Sequence, residues 1–577
     1  MKHTVLTLLC LLSLSLPAQS REARYPEFTS GRIPQQLASA EKHMVASANP
    51  YATEAGLAIL RRGGSAVDAA IAVQLVLNLV EPESSGIGGG GFALLWDAGK
   101  QQLSTIDGRE KAPMQAGESL FIENGETMNW WEALAGGRSV GTPGVPAMLW
   151  EMHQKGGKLP WAALFEPAIS LAEDGFEISP KLAHSIANNT NPALGRYDAA
   201  WDYFFPGGQA LKKGRVVKNP AFADTLRRLA QLGPAAFYKG QIAMDIVDTV
   251  RGARDNPGLL SEADLAAYKA VERPPVCAPW RQFRICGMGP PTSGGVTVIQ
   301  IMKLLEELDY ARLTPMSAEF THWFTQASRL AYADRDRYLA DSDFVDVPVE
   351  GLLDESYLAG RRKLMREQDT GPLSAGQPPG AETALLDAYS PEPAGTTHFS
   401  IIDADGNAVS MTSSIEMAFG STLMVRGFLL NNQLTDFSFA PTDQDGQKVA
   451  NRVEPGKRPR SSMSPMMVFN DQGELYMLIG SPGGSRIIGY VARTLLATLG
   501  FGLDIQQAID LPHVVNRNGS TDLEAGTAAE SLADALRERG HEVSIRDLNS
   551  GLHGIVILDH LLTGGADPRR VGEARGD

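Results

Sequence analysis

The stretch Gly395-Thr396-Thr397-His398-Phe399-Ser400-Ile401-Ile402-Asp403-Ala404-Asp405-Gly406-Asn407-Ala408-Val409-Ser410-Met411-Thr412 decides how this chain is read. Upstream, Asp369-Thr370-Gly371-Pro372, Gln377-Pro378-Pro379-Gly380 and Pro391-Glu392-Pro393-Ala394 read as an exposed, poorly structured linker. Downstream, two runs rich in strand-forming residues flank a turn-forming Asp403-Ala404-Asp405-Gly406-Asn407, which predicts a β-hairpin. Centring the turn on Asp405, with Gly406 in the left-handed region, sets Thr396 opposite Ser414 to within about one residue. A linker thus meets a strand whose first residue is Thr.

A threonine hydroxyl is a poor nucleophile unless a base lies beside it, and a Thr freed as a chain N-terminus carries one in its own α-amino group. That amine, with an ordinary pKa of about 7.7–8.0, suits general-base work near neutral pH. Gly395, lacking Cβ, allows the Thr396 hydroxyl to approach the preceding carbonyl closely. Taken alone, the tetrapeptide reads equally simply as a linker ending at an ordinary strand, where Thr is common.

Working outward, the 577-residue chain is 43% hydrophobic and 21% charged, an ordinary globular composition. A net charge of −15 argues against nucleic acid or anionic membrane as a partner. Met1-Lys2-His3, the apolar run Val5–Leu12 and the small-residue exit Ala18-Gln19-Ser20 predict a secretory signal over residues 1–20, hence export to the periplasm or beyond. The apolar run is shorter than the roughly 20 residues that span a bilayer, so no stable membrane anchor is expected. After its removal two cysteines remain, Cys277 and Cys286, flanking a plausible hairpin, and in an oxidising compartment they are expected to pair. Two such ligands do not make a metal site, and no H-E-x-x-H, Walker or Rossmann fingerprint is present, so no cofactor is expected.

Asn49-Pro50 opens a capped helix stopped by Gly63-Gly64, and Ser65 with Asp68 forms a capping-box pattern ahead of an apolar helix, Ala66 to Val80. A helix apolar on all sides is core. Strands are predicted over Phe92–Trp96 and up to Asp107-Gly108-Arg109-Glu110, with another helix after Pro146. The region from about 160 to 370 reads as mostly helical, including Val296–Leu308 and Ser317–Asp334. Strands follow at Phe428–Asn432, Met467–Phe469 and Leu475–Ile479, then helices from Arg486 and over Ala529–Arg539, and strands near Val543 and Ile555 close the chain. Strand pairs interleaved with apolar helices suggest a layered α/β sandwich with antiparallel sheets.

Several short features suit chemistry. Gly483-Gly484, between a strand and a helix start, offers backbone N–H groups to an oxyanion, or is merely a tight turn. Arg109 suits bidentate capture of a carboxylate or a structural ion pair. Ser461 and Ser462 suit hydroxyl donation or turn chemistry, and Gln433 with Asp436 suits an ammonium or an ordinary polar loop. Gly137-Arg138-Ser139-Val140-Gly141 imitates a serine-hydrolase elbow but lacks the preceding strand. Asp403-Ala404-Asp405-Gly406 lacks the spacing and closing Glu of a calcium loop.

Together, Val80-Glu81-Pro82 with Ser84-Ser85-Gly86-Ile87-Gly88-Gly89-Gly90, Pro290-Pro291-Thr292-Ser293-Gly294-Gly295, Thr396-Thr397-His398, Leu430-Asn431-Asn432-Gln433, Ser461-Ser462-Met463-Ser464-Pro465 and Gly480-Ser481-Pro482-Gly483-Gly484 stand in the order of a known family. The chain resembles the γ-glutamyltranspeptidase family of N-terminal nucleophile hydrolases over nearly its whole mature length. The resemblance implies an αββα sandwich of two stacked, mainly antiparallel sheets flanked by helices. It implies self-cleavage before Thr396, giving a large subunit (21–395) and a small one (396–577) that form one catalytic unit. It further implies that Thr396 carries a γ-glutamyl ester, resolved by water or by an amino acid or peptide acceptor, with glutathione-like donors. By the same resemblance Gly483 and Gly484 form the oxyanion hole, and Ser414 supports the nucleophile. Arg109, Ser461 and Ser462 hold the donor's α-carboxylate, and Gln433 and Asp436 its α-amino group.

Three departures bear on specificity. Ser414 stands where Thr is usual, keeping the hydroxyl but losing the rotamer-fixing methyl. Glu416 stands near the α-amino position where glutathione-acting members commonly have Asn. No Tyr lies between Asp436 and Ser461, where several members carry one on a lid. The alternatives are a related amide acylase for glutaryl-type side chains and an unprocessed binding homologue; Asp436, Thr396, Ser414 and the Gly pair speak against them.

Overall fold

The computed structural model describes residues 31–381, 395–442 and 446–577. The predicted signal segment and the end of the linker, 382–394, lie outside the described residues.

The hairpin forms as predicted. Thr396–Ile402 pairs antiparallel with Ala408–Ser414, Thr396 lies opposite Ser414, and Gly406 takes φ +80° in the turn. These strands sit at the centre of a seven-stranded sheet in the order Glu573–Gly576, Met44–Ser47, Thr396–Ile402, Ala408–Ser414, Gly90–Asp97, Gln102–Asp107, Val271–Arg273. A second seven-stranded sheet runs Ala38–Ala40, Leu561–Ala566, His553–Leu558, Leu475–Gly480, Met466–Phe469, Phe283–Gly287, Val276–Trp280. Every ladder in both sheets is antiparallel.

The period-two alternation of the central strands builds the layers. Phe399, Ile401, Val409 and Met411 enter one core beneath the helices Pro50–Arg61 and Ala66–Val80. Phe92, Leu94 and Ala408 enter a second core shared with Val468, Met477 and Ile479 of the other sheet. Helices Gly294–Leu304, Ala318–Tyr338 and Ile487–Leu495 complete that core through Ile299, Leu330 and Ile488. Each fully buried aliphatic side chain contributes roughly 1.5–3 kcal/mol. The result is the expected αββα sandwich. Ala66–Val80 is buried along its whole length, and its capping box is formed in both directions: Asp68 N–H to Ser65 Oγ at 3.1 Å and Ser65 N–H to Asp68 Oδ2 at 3.0 Å.

Some expectations need correction. The largely helical region before the linker also contains the strand Val271–Arg273, whereas the hairpin expected between Cys277 and Cys286 forms as Val276–Trp280/Phe283–Gly287, with the two cysteines opposite each other and disulfide-bonded. Phe428–Asn432 is strand only at Phe428–Leu429, because Asn431 and Asn432 turn the chain into the 3-10 turn Gln433–Asp436. Helix Ala318–Tyr338 runs one turn beyond Asp334. The chain closes with two further strands, Leu561–Ala566 and Glu573–Gly576, the latter forming the edge of the central sheet. The linker also starts less exposed than its composition suggests. Asp369 is buried and accepts from Arg329 NH2 at 2.7 Å and Gln326 Nε2 at 2.5 Å. Among the described residues no helix is long and apolar enough to cross a membrane.

Candidate active site

The sandwich brings several strand ends to one edge, and Thr396 stands among them, opposite Ser414, which in turn lies opposite Gly90. The Thr396 hydroxyl donates to Ser414 Oγ at 3.2 Å. Ser414 donates to the Gly395 carbonyl oxygen at 2.6 Å and accepts from the Glu416 N–H at 2.8 Å. Three hydrogen bonds therefore fix the Ser414 rotamer without the methyl that Thr would supply. Gly395 has no room for a side chain, since a Cβ would lie 2.1 Å from the Glu416 carbonyl oxygen.

The turn against Gly395 is strained: Glu416 has φ +79° and Phe419 φ +63°. It is held from outside. Ile415 and Phe419 donate backbone N–H groups to the carbonyls of Ser84 and Glu83. Buried Lys181 fastens those residues, donating to Glu83 Oε1 at 3.0 Å and Ser84 Oγ at 2.7 Å.

Strand Leu475–Gly480 leads into Gly483 (φ +136°) and Gly484 (φ +58°), which open the helical segment that becomes Ile487–Leu495. A Cβ on Gly483 would lie 2.6 Å from the Tyr490 ring. Among the described residues no hydrogen bond to another group of the chain uses either glycine's N–H. Two amides at a helix start, beside Thr396, have the makings of an oxyanion hole.

Arg109 is fully buried and tightly oriented. Its Nε donates to the Pro459 carbonyl at 3.1 Å, and NH2 donates to the Arg460 carbonyl at 3.0 Å and Asp436 Oδ2 at 2.5 Å. The guanidinium is thereby tied to the segment carrying Ser461 and Ser462. Ser462 Oγ accepts from Arg335 NH2 at 2.7 Å. Accepting from a guanidinium leaves the serine's own proton to a different acceptor. Gln433 Nε2 donates to Asp436 Oδ2 at 3.2 Å, while Gln433 Oε1 has no partner among the described residues.

The acids here are not ordinary. Burial, then the neighbouring charge of Asp436, raises the Glu416 carboxyl well above the usual carboxylate range. Burial also pushes Glu110, whose Oε2 lies 3.6 Å from Arg109 NH1, up to about 8.

One cleft is lined by Thr396, Ser414, Gly484, Arg109, Glu416, Gln433, Asp436, Ser461 and Ser462, together with Met463 and Ile487. Of the residues singled out in the sequence only Gly483 is set back from it, one residue behind Gly484. Among the described residues of 437–460 none joins the lining; Phe439 of that loop stacks on Phe121 instead. The imitations behave as such: Ser139 Oγ donates to the Leu134 carbonyl, and Asp403 accepts from the N–H groups of its own turn. Sequence reasoning missed Arg335, Glu110 and Asn432. Arg335 had no local signal: it stands among Asp334, Asp336 and Arg337, just past the predicted helix end.

The family profile described as Gamma-glutamyltranspeptidase matches residues 52–576. Over 586 aligned residues the chain is 34% identical to the glutathione hydrolase proenzyme of Bacillus subtilis (strain 168), covering 99% of this chain and 97% of that protein. It is 35% identical over 541 residues to the glutathione hydrolase proenzyme of Escherichia coli (strain K12), covering 92% and 91%. The fold matches the crystal structure of a cephalosporin acylase from Bacillus halodurans with a TM-score of 0.81 at 28% identity, over 94% of this chain and 97% of that one.

Proposed function

This chain belongs to the γ-glutamyltranspeptidase family, and from that premise we propose that Thr396 is both the residue that cuts its own chain and the acyl carrier of the mature enzyme. The protein is an autoprocessed γ-glutamyltransferase and glutathione hydrolase. The observation that carries the residue assignment is the run of hydrogen bonds from Thr396 Oγ1 through Ser414 Oγ to the Gly395 carbonyl oxygen, inside the cleft that also holds Arg109 and Asp436.

In the processing step the Thr396 hydroxyl adds to the Gly395 carbonyl carbon, which Ser414 polarises. The C–N bond then breaks, leaving an ester on Oγ1 and a free Thr396 amine, and water hydrolyses the ester. The large subunit ends at Gly395 and the small one begins at Thr396. The α-amino group then takes the Thr396 hydroxyl proton as Oγ1 attacks a γ-glutamyl carbonyl. The Gly483 and Gly484 amides stabilise the oxyanion, and the departing amine takes a proton. Arg109, Ser461 and Ser462 hold the donor's α-carboxylate, and Gln433, Asp436 and Glu416 face its α-amino group. Water or an amino acid or peptide acceptor releases the glutamyl group. The N-terminal segment directs export to the periplasm or outside the cell.

Intact mass followed by assay on γ-glutamyl and glutaryl anilides tests this. Two chains that split at Gly395/Thr396 and turn over the γ-glutamyl compound are expected. A cut protein active only on the glutaryl compound would make it an acylase, and a single inert chain would remove the assignment of Thr396.

A further inference from the structure

Two carboxyl groups meet in the cleft with one hydrogen-bond donor too few. Glu416 is 3% exposed, Asn432 Nδ2 donates to its Oε2, and Oε1 receives no donor among the described residues. Both carboxyls line the one cleft, and after burial it is the neighbouring Asp436 that raises Glu416. Asp436 Oδ2 is already engaged by Arg109 at 2.5 Å and Gln433 at 3.2 Å. Two neighbouring carboxylates in a buried site resist ionising together. Around the pair stand Arg109, Glu110 and, once the chain is cut, the Thr396 α-amino group.

We propose that Glu416 and Asp436 form a proton-exchange pair that selects acyl donors bearing an α-ammonium: the empty site holds one proton between the two carboxyls, and the incoming ammonium replaces it. The proton leaves to solvent as the donor binds. This rests on the reading that the cleft takes a γ-glutamyl group.

The chemistry is balanced in charge. One cation enters as one leaves, so no uncompensated charge is left in a buried site. The ammonium has three N–H donors, and Glu416 Oε1, the Asp436 carboxylate and Gln433 Oε1 are acceptors for them. An ammonium beside Glu416 favours its ionised form, which reverses the effect of burial and of Asp436. A donor without the amino group, such as a glutaryl amide, meets the protonated pair and displaces nothing. Binding of amino-bearing donors therefore strengthens as pH rises toward the free-site pKa of Glu416, by up to about tenfold per pH unit.

The test is isothermal titration calorimetry of the cleaved protein with L-glutamate, at about pH 7 in buffers of different ionisation enthalpy, so that released protons are counted. Close to one proton per bound glutamate is expected for the natural protein and close to none for Glu416→Gln, which keeps the shape and cannot ionise. KM for a γ-glutamyl anilide should fall with rising pH in the natural protein and stay flat in Glu416→Gln. Binding without proton release, or equal release by both proteins, overturns the exchange pair while leaving the γ-glutamyl reading intact. Failure of the cleaved protein to bind L-glutamate or turn over the anilide overturns both. Should Glu416→Gln remain uncut, the proton count and pH series of the natural protein decide.

Discussion

The Ser414 hydroxyl donates a 2.6 Å hydrogen bond to the Gly395 carbonyl oxygen while accepting one from the nucleophile that would attack that carbonyl. On the proposed assignment, Ser414 would polarise the electrophile and orient the nucleophile at once. Ser414→Ala should slow self-cleavage by about 10²-fold, the scale of losing one oxyanion donor. Ser414→Thr, which restores the hydroxyl, should recover most of the rate, as followed by the appearance of two chains on denaturing gels.

Gly395→Ala should stop processing for a different reason. The added Cβ would lie 2.1 Å from the Glu416 carbonyl oxygen and 2.7 Å from the Met417 carbonyl carbon, both backbone. Relief must come from moving the scissile carbonyl away from Ser414. A protein that folds, melts a few degrees lower and stays as one chain is expected; normal cleavage would show that the carbonyl need not sit where Ser414 reaches it.

If Ser462 holds the donor's α-carboxylate as proposed, Arg335 positions it. Its guanidinium donates to Ser462 Oγ at 2.7 Å and to Ser293 Oγ at 2.9 Å, and Ser293 Oγ donates to the Ser461 carbonyl at 2.7 Å. Arg335→Gln should raise KM for γ-glutamyl donors about tenfold, the effect of losing a charge-assisted hydrogen bond worth about 1.5 kcal/mol. The kcat should change little, because the nucleophile is untouched. Steady-state kinetics at saturating acceptor would separate this from general damage, which lowers kcat as well.

His553, buried on the strand paired with Leu475–Gly480, has its pKa lowered to about 4 by burial. His398 and His513 are lowered in the same direction by burial. A histidine held neutral in the folded state stabilises fully above its unfolded pKa of about 6.5, and that contribution is lost as pH falls toward the folded value. For His553 it amounts to about 3 kcal/mol. Thermal melts followed by circular dichroism should show that lowering the pH from about 7 to about 5 costs His553→Gln less Tm than it costs the natural protein, because the buried Glu81 and Glu110, pushed up to about 7 and about 8, titrate in the opposite sense but equally in both. The same pH dependence of Tm in both proteins would contradict the assignment.

Much of this molecule was legible locally. The Ser65/Asp68 capping box, the apolar run to Val80 and the turn at Asp403–Asn407 each involve neighbours a few residues apart, so pattern sufficed. Cys277 and Cys286 fall opposite each other for the same reason. The misses are long-range. Nothing near Glu573–Gly576 marks it as an edge of the central sheet, since its partner is Met44–Ser47 at the other end of the chain. Arg335 reads as an ordinary helix charge until Ser462, far along the chain, arrives beside it.

By itself the sequence determined the hairpin register that puts Ser414 against Thr396, because that register follows from turn geometry and a side-chain period of two. It also pointed, through ordered motifs, to the residues that line the cleft around Thr396. Only the tertiary structure decided their charge states and their room to move. Burial beside Asp436 raises the Glu416 carboxyl well above the usual carboxylate range, and packing against the Glu416–Ala418 backbone makes Gly395 a position where no Cβ fits. Desolvation and steric contact depend on atoms brought together from distant parts of the chain, and no local pattern carries them.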